Sequence, residues 1–142
     1  ARNDTPRETV PSTVAEAQGY DIEVAAGYVS SFAENYEAKI LDTRTVLEQI
    51  RPKTHRTVIW GAGSKGVTLA NLYKLKDEIP YIVDINEKKQ GMFVPGGGQR
   101  VVGPAFLEEY RPETVLVMNS VYLDEIRRIC DRFSLSPELI PL

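Results

Sequence analysis

Apolar side chains recur three or four residues apart along residues 27–50, which is the spacing of one face of an α-helix. Thr43 interrupts a stripe that is formed by Val29, Phe32, Tyr36, Ile40, Leu47 and Ile50. Pro52 ends the pattern, because the residue before a proline avoids helical backbone angles. We therefore predict one long amphipathic helix over residues 27–50.

A different pattern follows this helix. Short apolar runs at residues 57–60, 81–84, 114–118 and, more weakly, 138–140 predict strands. Helical spacing occurs between them, at about residues 65–76, 104–110 and 122–133. Strands that alternate with helices indicate a parallel sheet with helices on both faces. The predicted fold class is α/β, a small Rossmann-like doubly wound parallel sheet preceded by a long N-terminal helix.

Two stretches lack such periods. Residues 1–20 are rich in Thr, Pro, Ser and charge and are interpreted as a loose lead-in. Residues 91–100 contain Pro95 and consecutive glycines, and we predict a mobile loop there. The predicted organisation is one Rossmann-like domain over residues 21–142, with the helix at 27–50 and the α/β core at 56–142.

Composition limits the classes of function. The chain has 142 residues, 42% of them hydrophobic, and 17 basic against 20 acidic side chains, a balance that is not typical of nucleic-acid binders. One Cys and one His exclude a disulfide framework and a structural zinc site of several Cys and His ligands. We find no signal peptide and no membrane-spanning run. We expect a cytoplasmic chain with neither nucleic-acid nor membrane partners, and, since it starts at Ala1, a piece of a longer protein.

A glycine-rich turn follows the first predicted strand. Residues 57–66 read TVIWGAGSKG, a G-x-G-x-x-G between a strand and a helix. Gly61 permits the tight turn, Gly63 lets a ligand approach the backbone, and Gly66 allows close helix–strand packing. The amides at the helix start suit a phosphate, whose charge would also offset Lys65. The same residues can also form a purely structural turn with Lys65 in solvent.

Asp84 ends the second predicted strand, 23 residues after Gly61. A dinucleotide-binding fold places there the acid that holds a ribose, but an aspartate here can equally cap the turn of residues 84–86. Lys88 and Lys89 either neutralise a phosphate or form a solvated surface. Binding of NAD therefore stays open.

Two enzyme classes with similar glycine turns fit poorly. Sites for S-adenosylmethionine usually have an acid two positions before the first glycine, where this chain has Ile59. Short-chain dehydrogenases need a lysine four residues after a tyrosine, and none of the seven tyrosines has one. We expect this chain to bind no S-adenosylmethionine. Unless it is an NAD-binding module, we expect it to bind no other cofactor either.

Few residues suit catalysis, and we predict no catalytic residue and no metal ligand. His55 lies in a predicted loop away from the ligand crevice, and Cys130 is predicted to be a small core residue. Asn119 directly follows a strand, where open parallel sheets bind ligands. Ser120 can either contact a ligand or cap the next helix, and we expect it to cap the helix. Tyr122 either stacks on a ring of the ligand or packs against other side chains of the protein.

Four segments read, in order, VIWGAGSKGV (58–67), VDINEKKQG (83–91), VPG (94–96) and VMNSVYLDEI (117–126). With the preceding helix, this succession resembles the C-terminal domain of the sugar C-methyltransferase family over about residues 20–140. Four ordered motifs are far more specific than one glycine pattern.

The resemblance implies a function. Members of that family have an N-terminal zinc-binding module, a middle domain that binds S-adenosylmethionine, and this domain last. They methylate a carbon of a nucleotide-linked deoxysugar ketone after proton abstraction beside the carbonyl. The C-terminal domain would help hold the nucleotide-sugar, and the candidate substrate- and phosphate-binding residues are Gly61, Ala62, Gly63, Ser64, Lys65, Gly66, Asp84, Asn119 and Tyr122.

The chain also departs from the family pattern. The zinc cysteines and the methyl-donor motif are absent and expected upstream, and the presumed glutamate–histidine base has no match, because Thr54 precedes the single histidine. Residues 96–98, all glycine, replace a more usual Pro-Gly-Thr ending. We expect the isolated chain to be inactive and its partners to be the nucleotide-sugar and the missing N-terminal domains.

Two other functions stay open from the residues alone. One is a stand-alone NAD-binding Rossmann module. The other is a scaffold domain with a degenerate site, in which helix 27–50, with Phe32 and Tyr36 on its broad face, docks on another domain or forms a homodimer.

Overall fold

The structure, a computed structural model, describes residues 22–51 and 56–142. Helix α1 runs over Ile22–Ile50, so it begins five residues before the predicted start at residue 27. The predicted lead-in over residues 1–20 and the position of His55 lie outside the described residues.

A five-stranded parallel sheet follows α1 in the chain, with the strand order β3-β2-β1-β4-β5. The strands are β1 Thr57–Trp60, β2 Tyr81–Val83, β3 Arg100–Val102, β4 Thr114–Val117 and β5 Glu138–Pro141. The elements between them are α2 Ser64–Leu72, α3 Phe106–Tyr110, a 3-10 helix Ser120–Tyr122 and α4 Leu123–Arg132. The predicted α/β fold with a doubly wound parallel sheet is confirmed.

The strand order determines where a ligand crevice can open. The chain runs outward from β1 to β2 and β3 on one side of the sheet, then returns to β4 and β5 on the other side. Strand β4 pairs with β1 along all four residues, from Thr57–Thr114 to Trp60–Val117. Because the loops after β1 and β4 turn away to opposite faces, a crevice opens at the carboxyl ends of these two strands.

Both faces of the sheet are covered. Successive side chains of a strand point to opposite faces, so Ile59 belongs to one apolar cluster while Val58 and Trp60 belong to the other. Helix α2 contributes to the Ile59 cluster, and α3 and α4 contribute to the other cluster. All residues of β1 and β4 are buried, which explains why these strands are continuous apolar runs.

Helix α1 divides between two compact units, one ending at Arg44 and one beginning at Thr45. In the second unit, Leu47 and Ile50 are buried in the Ile59 cluster. In the first unit, the described side chains between residues 26 and 42 are exposed, Phe32 among them, and the side chain of Tyr36 lies outside the described residues. Among the helices that the structure describes, none has both the length and the apolar character that crossing a membrane requires.

The predicted mobile loop at residues 91–100 is wrong. The Gly91 amide donates to the Val101 carbonyl, and the Val101 amide donates to the Met92 carbonyl, each at 2.8 Å. This segment therefore covers the outer edge of β3, and the side chains of Val94 and Gln99 are buried. Glycine and proline content misled the prediction, because hydrogen bonds across the segment hold the loop and the Asn71 side chain donates to the Pro95 carbonyl at 3.0 Å.

Helix α2 ends at Leu72, four residues before its predicted end at residue 76. Lys74 adopts a left-handed conformation with φ 53°, and the Leu75 amide turns back to the Ala70 carbonyl at 3.1 Å. This turn places Leu75 in the core. A left-handed lysine gives no sequence signal comparable to a glycine cap.

Gly66→Ala is expected to destabilise the fold, because a Cβ at this position would overlap the carbonyl oxygen of Gly61. We expect a loss of about 1–3 kcal/mol in the free energy of unfolding, the usual cost of overpacking, measured by chemical denaturation. Gly63→Ala is the matched control, since nothing lies within 4 Å of its Cβ position. Its cost should stay below about 1 kcal/mol. Equal losses in the two variants would contradict a role for the close approach of Gly66 to Gly61.

Candidate functional site

A cleft of about 430 Å³ opens at the carboxyl ends of β1, β2 and β4. Eight of the nine predicted site residues line it, namely Gly61, Gly63, Ser64, Lys65, Gly66, Asp84, Asn119 and Tyr122. The ninth, Ala62, contacts Asp84 through its backbone. The cleft lies at the point where the strand order reverses, and its volume suits a small-molecule ligand.

The glycine loop connects β1 to α2, and its three glycines have different surroundings. Gly61 has a φ of 112°, and its amide donates to the Val83 carbonyl at 2.8 Å, which ties the loop to β2. Gly66 is buried against the Gly61 carbonyl. Gly63 is exposed, has a φ of −89°, and would have no atom within 4 Å of a Cβ. Packing therefore explains the glycines at 61 and 66 and leaves the one at 63 unexplained.

The start of α2 is electropositive. Gly63 occupies the N-cap position, no side chain caps the helix, and its first turn has no acidic residue. The first amides of a helix have no intrahelical acceptor, and with the helix dipole they favour a nearby anion. Lys65 adds an exposed cation at the same end of the helix. The arrangement suits a phosphate group.

Asp84 lies under the glycine loop, and its side chain is 11% exposed. Its Oδ2 accepts hydrogen bonds from the Ala62 amide at 2.9 Å and from Lys89 Nζ at 3.2 Å. Its Oδ1 accepts from the Asn86 amide at 2.9 Å. The turn-capping interpretation of Asp84 is therefore confirmed, and the same carboxylate also holds the glycine loop.

The environment of Asp84 favours its ionised form. Burial by itself raises the pKa of the carboxyl group. The hydrogen bonds from the Asn86 and Ala62 amides, and then the hydrogen bond and charge of Lys89, outweigh this effect and lower the pKa below its ordinary value of 3.8. Asp84 is thus a charged anchor at neutral pH.

The segment after β4 forms the opposite wall. Asn119 Oδ1 accepts from the Val121 amide at 3.2 Å, so Asn119 caps the 3-10 helix. The prediction that Ser120 is the cap is wrong, because the helix begins at Ser120 itself. In the described part of the chain no hydrogen bond occupies Asn119 Nδ2. Tyr122 lines this wall and Ile85 lines the side that follows β2, with 47% and 58% of their surfaces exposed.

Four lining residues were not candidates from the sequence, namely Trp60, Ile85, Met118 and Glu125. Lys89, for which phosphate neutralisation or a solvated surface stayed open, also lines the cleft. Trp60 ends β1 and Met118 directly follows β4, and an apolar side chain at such a position indicates only core. The spacing of Glu125 predicts an ion pair on the helix surface, whereas the ion pair observed on the described part of that helix joins Asp124 and Arg127. Position directly after a parallel strand is the signal that could have found Ile85.

The remaining reactive side chains lie away from this chemistry. Cys130 is buried in the core, as predicted, and burial raises the pKa of its thiol, with a further contribution from Asp131. A buried thiol of high pKa is a poor nucleophile. Within residues 22–51 and 56–142, no group of three or more His, Cys, Asp or Glu side chains is placed so that it could hold a metal ion.

Asp84→Asn tests the anchoring role. A lowered pKa in the folded state stabilises the protein above the ordinary value of 3.8, and this contribution is lost as the pH falls through the folded pKa. At pH 7 we expect the free energy of unfolding of the variant to be about 1–3 kcal/mol lower than that of the native chain, because an amide cannot accept all three hydrogen bonds. Chemical denaturation should show the difference from the native chain shrinking between about pH 5 and pH 2. A difference that does not change with pH would contradict the role of the charge.

Comparison with known proteins identifies the family. The family model for the C-methyltransferase C-terminal domain matches residues 1–135 of the 142 in the chain. No curated protein matches.

Solved structures that match most of the chain include the following two. A Rex-family repressor, RSP, is 17% identical, with 91% of this chain and 72% of that chain covered and a TM-score of 0.48. RSP in complex with beta-NADH is 14% identical, with 90% and 72% covered and a TM-score of 0.46. The resemblance drawn from the four sequence segments agrees with the family match, and the chain belongs to the C-methyltransferase C-terminal domain family.

Proposed function

We propose that this chain is the non-catalytic substrate-binding domain of an S-adenosylmethionine-dependent sugar C-methyltransferase. In this proposal residues 61–66 hold the phosphate of a nucleotide-linked sugar. The observation that carries it is Gly63, a glycine that packing does not require, at the uncapped start of α2 inside the cleft. Family membership supports methyl transfer as the reaction of the full-length protein.

The phosphate is the part of the ligand with the strongest support. Without a side chain at Gly63, a phosphate oxygen can reach the amides at the start of α2 at hydrogen-bond distance. Lys65 opposes the helix dipole at this position, and a bound anion removes that unfavourable interaction. The glycine loop is already held in place by Asp84, so little order has to be gained on binding.

The other walls suit the remainder of a nucleotide. Ile85 and Tyr122 are exposed apolar surfaces that line the cleft, and a planar base can pack against them. Asn119 Nδ2 is a donor for a further oxygen of the ligand. Inorganic phosphate alone would use neither feature, which favours a nucleoside diphosphate or its sugar.

The paired groups of the cleft, Asp84 and Lys89, are poor candidates for proton abstraction beside a carbonyl. A general base needs a pKa near the working pH and access to the proton. Asp84 has a lowered pKa and is covered by three donors, and Lys89 is paired with it. We therefore assign the chemical step to another part of the full-length protein.

S-adenosylmethionine supplies the methyl group in the proposed reaction. The residues present do not fit a site for it in this chain. Ile59, at the position where an acid usually stands, is fully buried in the core, and the nearby Asp84 carboxylate is occupied. We propose that the methyl donor binds upstream of this domain.

A dinucleotide-binding module is the second candidate, favoured by the position of Asp84 directly after β2. In such folds the acid at this point accepts hydrogen bonds from the ribose hydroxyls. The three donors around Asp84 count against this function.

Calorimetric titration with thymidine diphosphate, NAD and S-adenosylmethionine distinguishes these candidates. We expect the diphosphate to bind, NAD to bind more weakly, and S-adenosylmethionine not to bind. Lys65→Ala and Gly63→Val should each weaken diphosphate binding about tenfold, through loss of a charged contact and steric exclusion respectively.

Lys88→Ala is the matched control, because it removes the same charge from an exposed side chain that does not line the cleft. It should change affinity by less than about threefold. We call the proposed binding of phosphate by residues 61–66 the phosphate cradle. Unchanged affinity in both cleft variants would overturn it, and a preference for NAD would favour the dinucleotide module.

Asn119→Asp separates capping from ligand binding. The aspartate keeps an oxygen for the Val121 amide, so the melting temperature should change little. It replaces the Nδ2 donor with a negatively charged oxygen, and we expect about tenfold weaker diphosphate binding. Native affinity in this variant would show that Asn119 only caps the helix.

A further inference from the structure

We infer that Lys89 is a specificity-determining residue, which prevents the Asp84 carboxylate from binding ribose hydroxyls. This inference rests on the proposed function, because it describes how the same cleft treats the nucleoside of its ligand. It goes further in predicting that the cleft does not distinguish ribose from 2′-deoxyribose.

The acceptor capacity of Asp84 is nearly used up. A carboxylate offers about four lone-pair directions. The Ala62 amide and Lys89 Nζ occupy Oδ2, at 2.9 and 3.2 Å, and the Asn86 amide occupies Oδ1 at 2.9 Å. A ribose with both hydroxyls donates two hydrogen bonds to such an acid, so it can bind fully only if one donor leaves.

Lys89 is the donor that can leave. The Ala62 and Asn86 amides belong to the backbone of the glycine loop and of the turn after β2, so moving either would disturb the fold. The Lys89 side chain is flexible, 40% exposed and on the cleft wall, whereas Asp84 is 11% exposed. Its Nζ also donates to the Ala62 carbonyl at 3.1 Å, which holds the ammonium group across the loop.

Removing Lys89 has two opposite effects on a nucleotide. It opens Oδ2 to a ribose hydroxyl, and it also removes a positive charge that offsets Asp84 close to a diphosphate. Absolute affinity therefore mixes both effects. The ratio of affinities for ADP and 2′-deoxy-ADP isolates the first effect, because the two ligands share the base and the diphosphate and differ only in the 2′-hydroxyl.

The experiment is calorimetric titration of ADP and 2′-deoxy-ADP into the native chain, Lys89→Ala and Lys88→Ala, with thermal unfolding to verify folding. We expect a ratio near one for the native chain and for Lys88→Ala, which loses the same charge from an exposed neighbour. In Lys89→Ala, ADP should bind about ten- to a hundredfold more tightly than 2′-deoxy-ADP, the effect of one hydrogen bond to a charged group. Lys89→Ser should behave in the same way, and the double variant Lys89→Ala/Asp84→Asn should return the ratio toward one.

Three results would overturn the inference. A native ratio well above one would show that Asp84 already binds ribose with Lys89 in place. If nucleotides bind but the affinity ratio stays near one in Lys89→Ala and Lys89→Ser, the inference about Lys89 is overturned. The phosphate cradle is not affected by that result. If the native chain binds none of ADP, 2′-deoxy-ADP and thymidine diphosphate, both the phosphate cradle and the inference are overturned.

Discussion

The hydrogen bond from the Ala62 amide to the Asp84 carboxylate is the contact on which the cleft depends, because it joins the loop after β1 to the turn after β2. Two hydrogen bonds between backbone groups extend this connection. The Gly61 amide donates to the Val83 carbonyl, and the Asp84 amide donates to the Val102 carbonyl. The carboxyl ends of three neighbouring strands are thus tied together. The amides at the start of α2 are fixed before a ligand arrives, so binding a phosphate requires little reorganisation.

The same contact restricts what the cleft can bind. A carboxylate that holds the loop, caps the turn at Asn86 and pairs with Lys89 has little capacity left for a sugar hydroxyl. A Rossmann-like sheet with a glycine loop and an acid after the second strand therefore need not be a dinucleotide site. The uncapped start of α2 and the exposed surfaces of Ile85 and Tyr122, with an engaged acid near them, suit the substrate-holding role that we propose.

Local patterns in the sequence predicted the parts of the fold that depend on local periodicity. The continuous apolar runs of β1 and β4 and the glycine turn before α2 lie where the pattern placed them. Strand β3 was missed, because three residues are too few to show a period. Its partner on one side is β2, and residues 91–93 fold back along its other edge. Lys74 likewise ends α2 through a backbone conformation that lysine rarely adopts.

The candidate site was predicted to a similar extent. The rule that ligands bind beyond parallel strands brought Gly63, Asp84 and Asn119 together correctly. The pairing of Lys89 with Asp84 could not be predicted from spacing alone, because it depends on how the turn after β2 brings the lysine back under the glycine loop.

Amide chemical-shift mapping of the isotope-labelled chain during titration with thymidine diphosphate tests most directly whether the glycine-loop cleft holds a nucleotide through its phosphate. We expect the largest shifts at residues 61–66, with smaller ones at residues 84–89 and 119–122, and a reduced response in Gly63→Val. Shifts confined to residues outside the cleft, or no shifts at saturating ligand, would contradict the phosphate cradle.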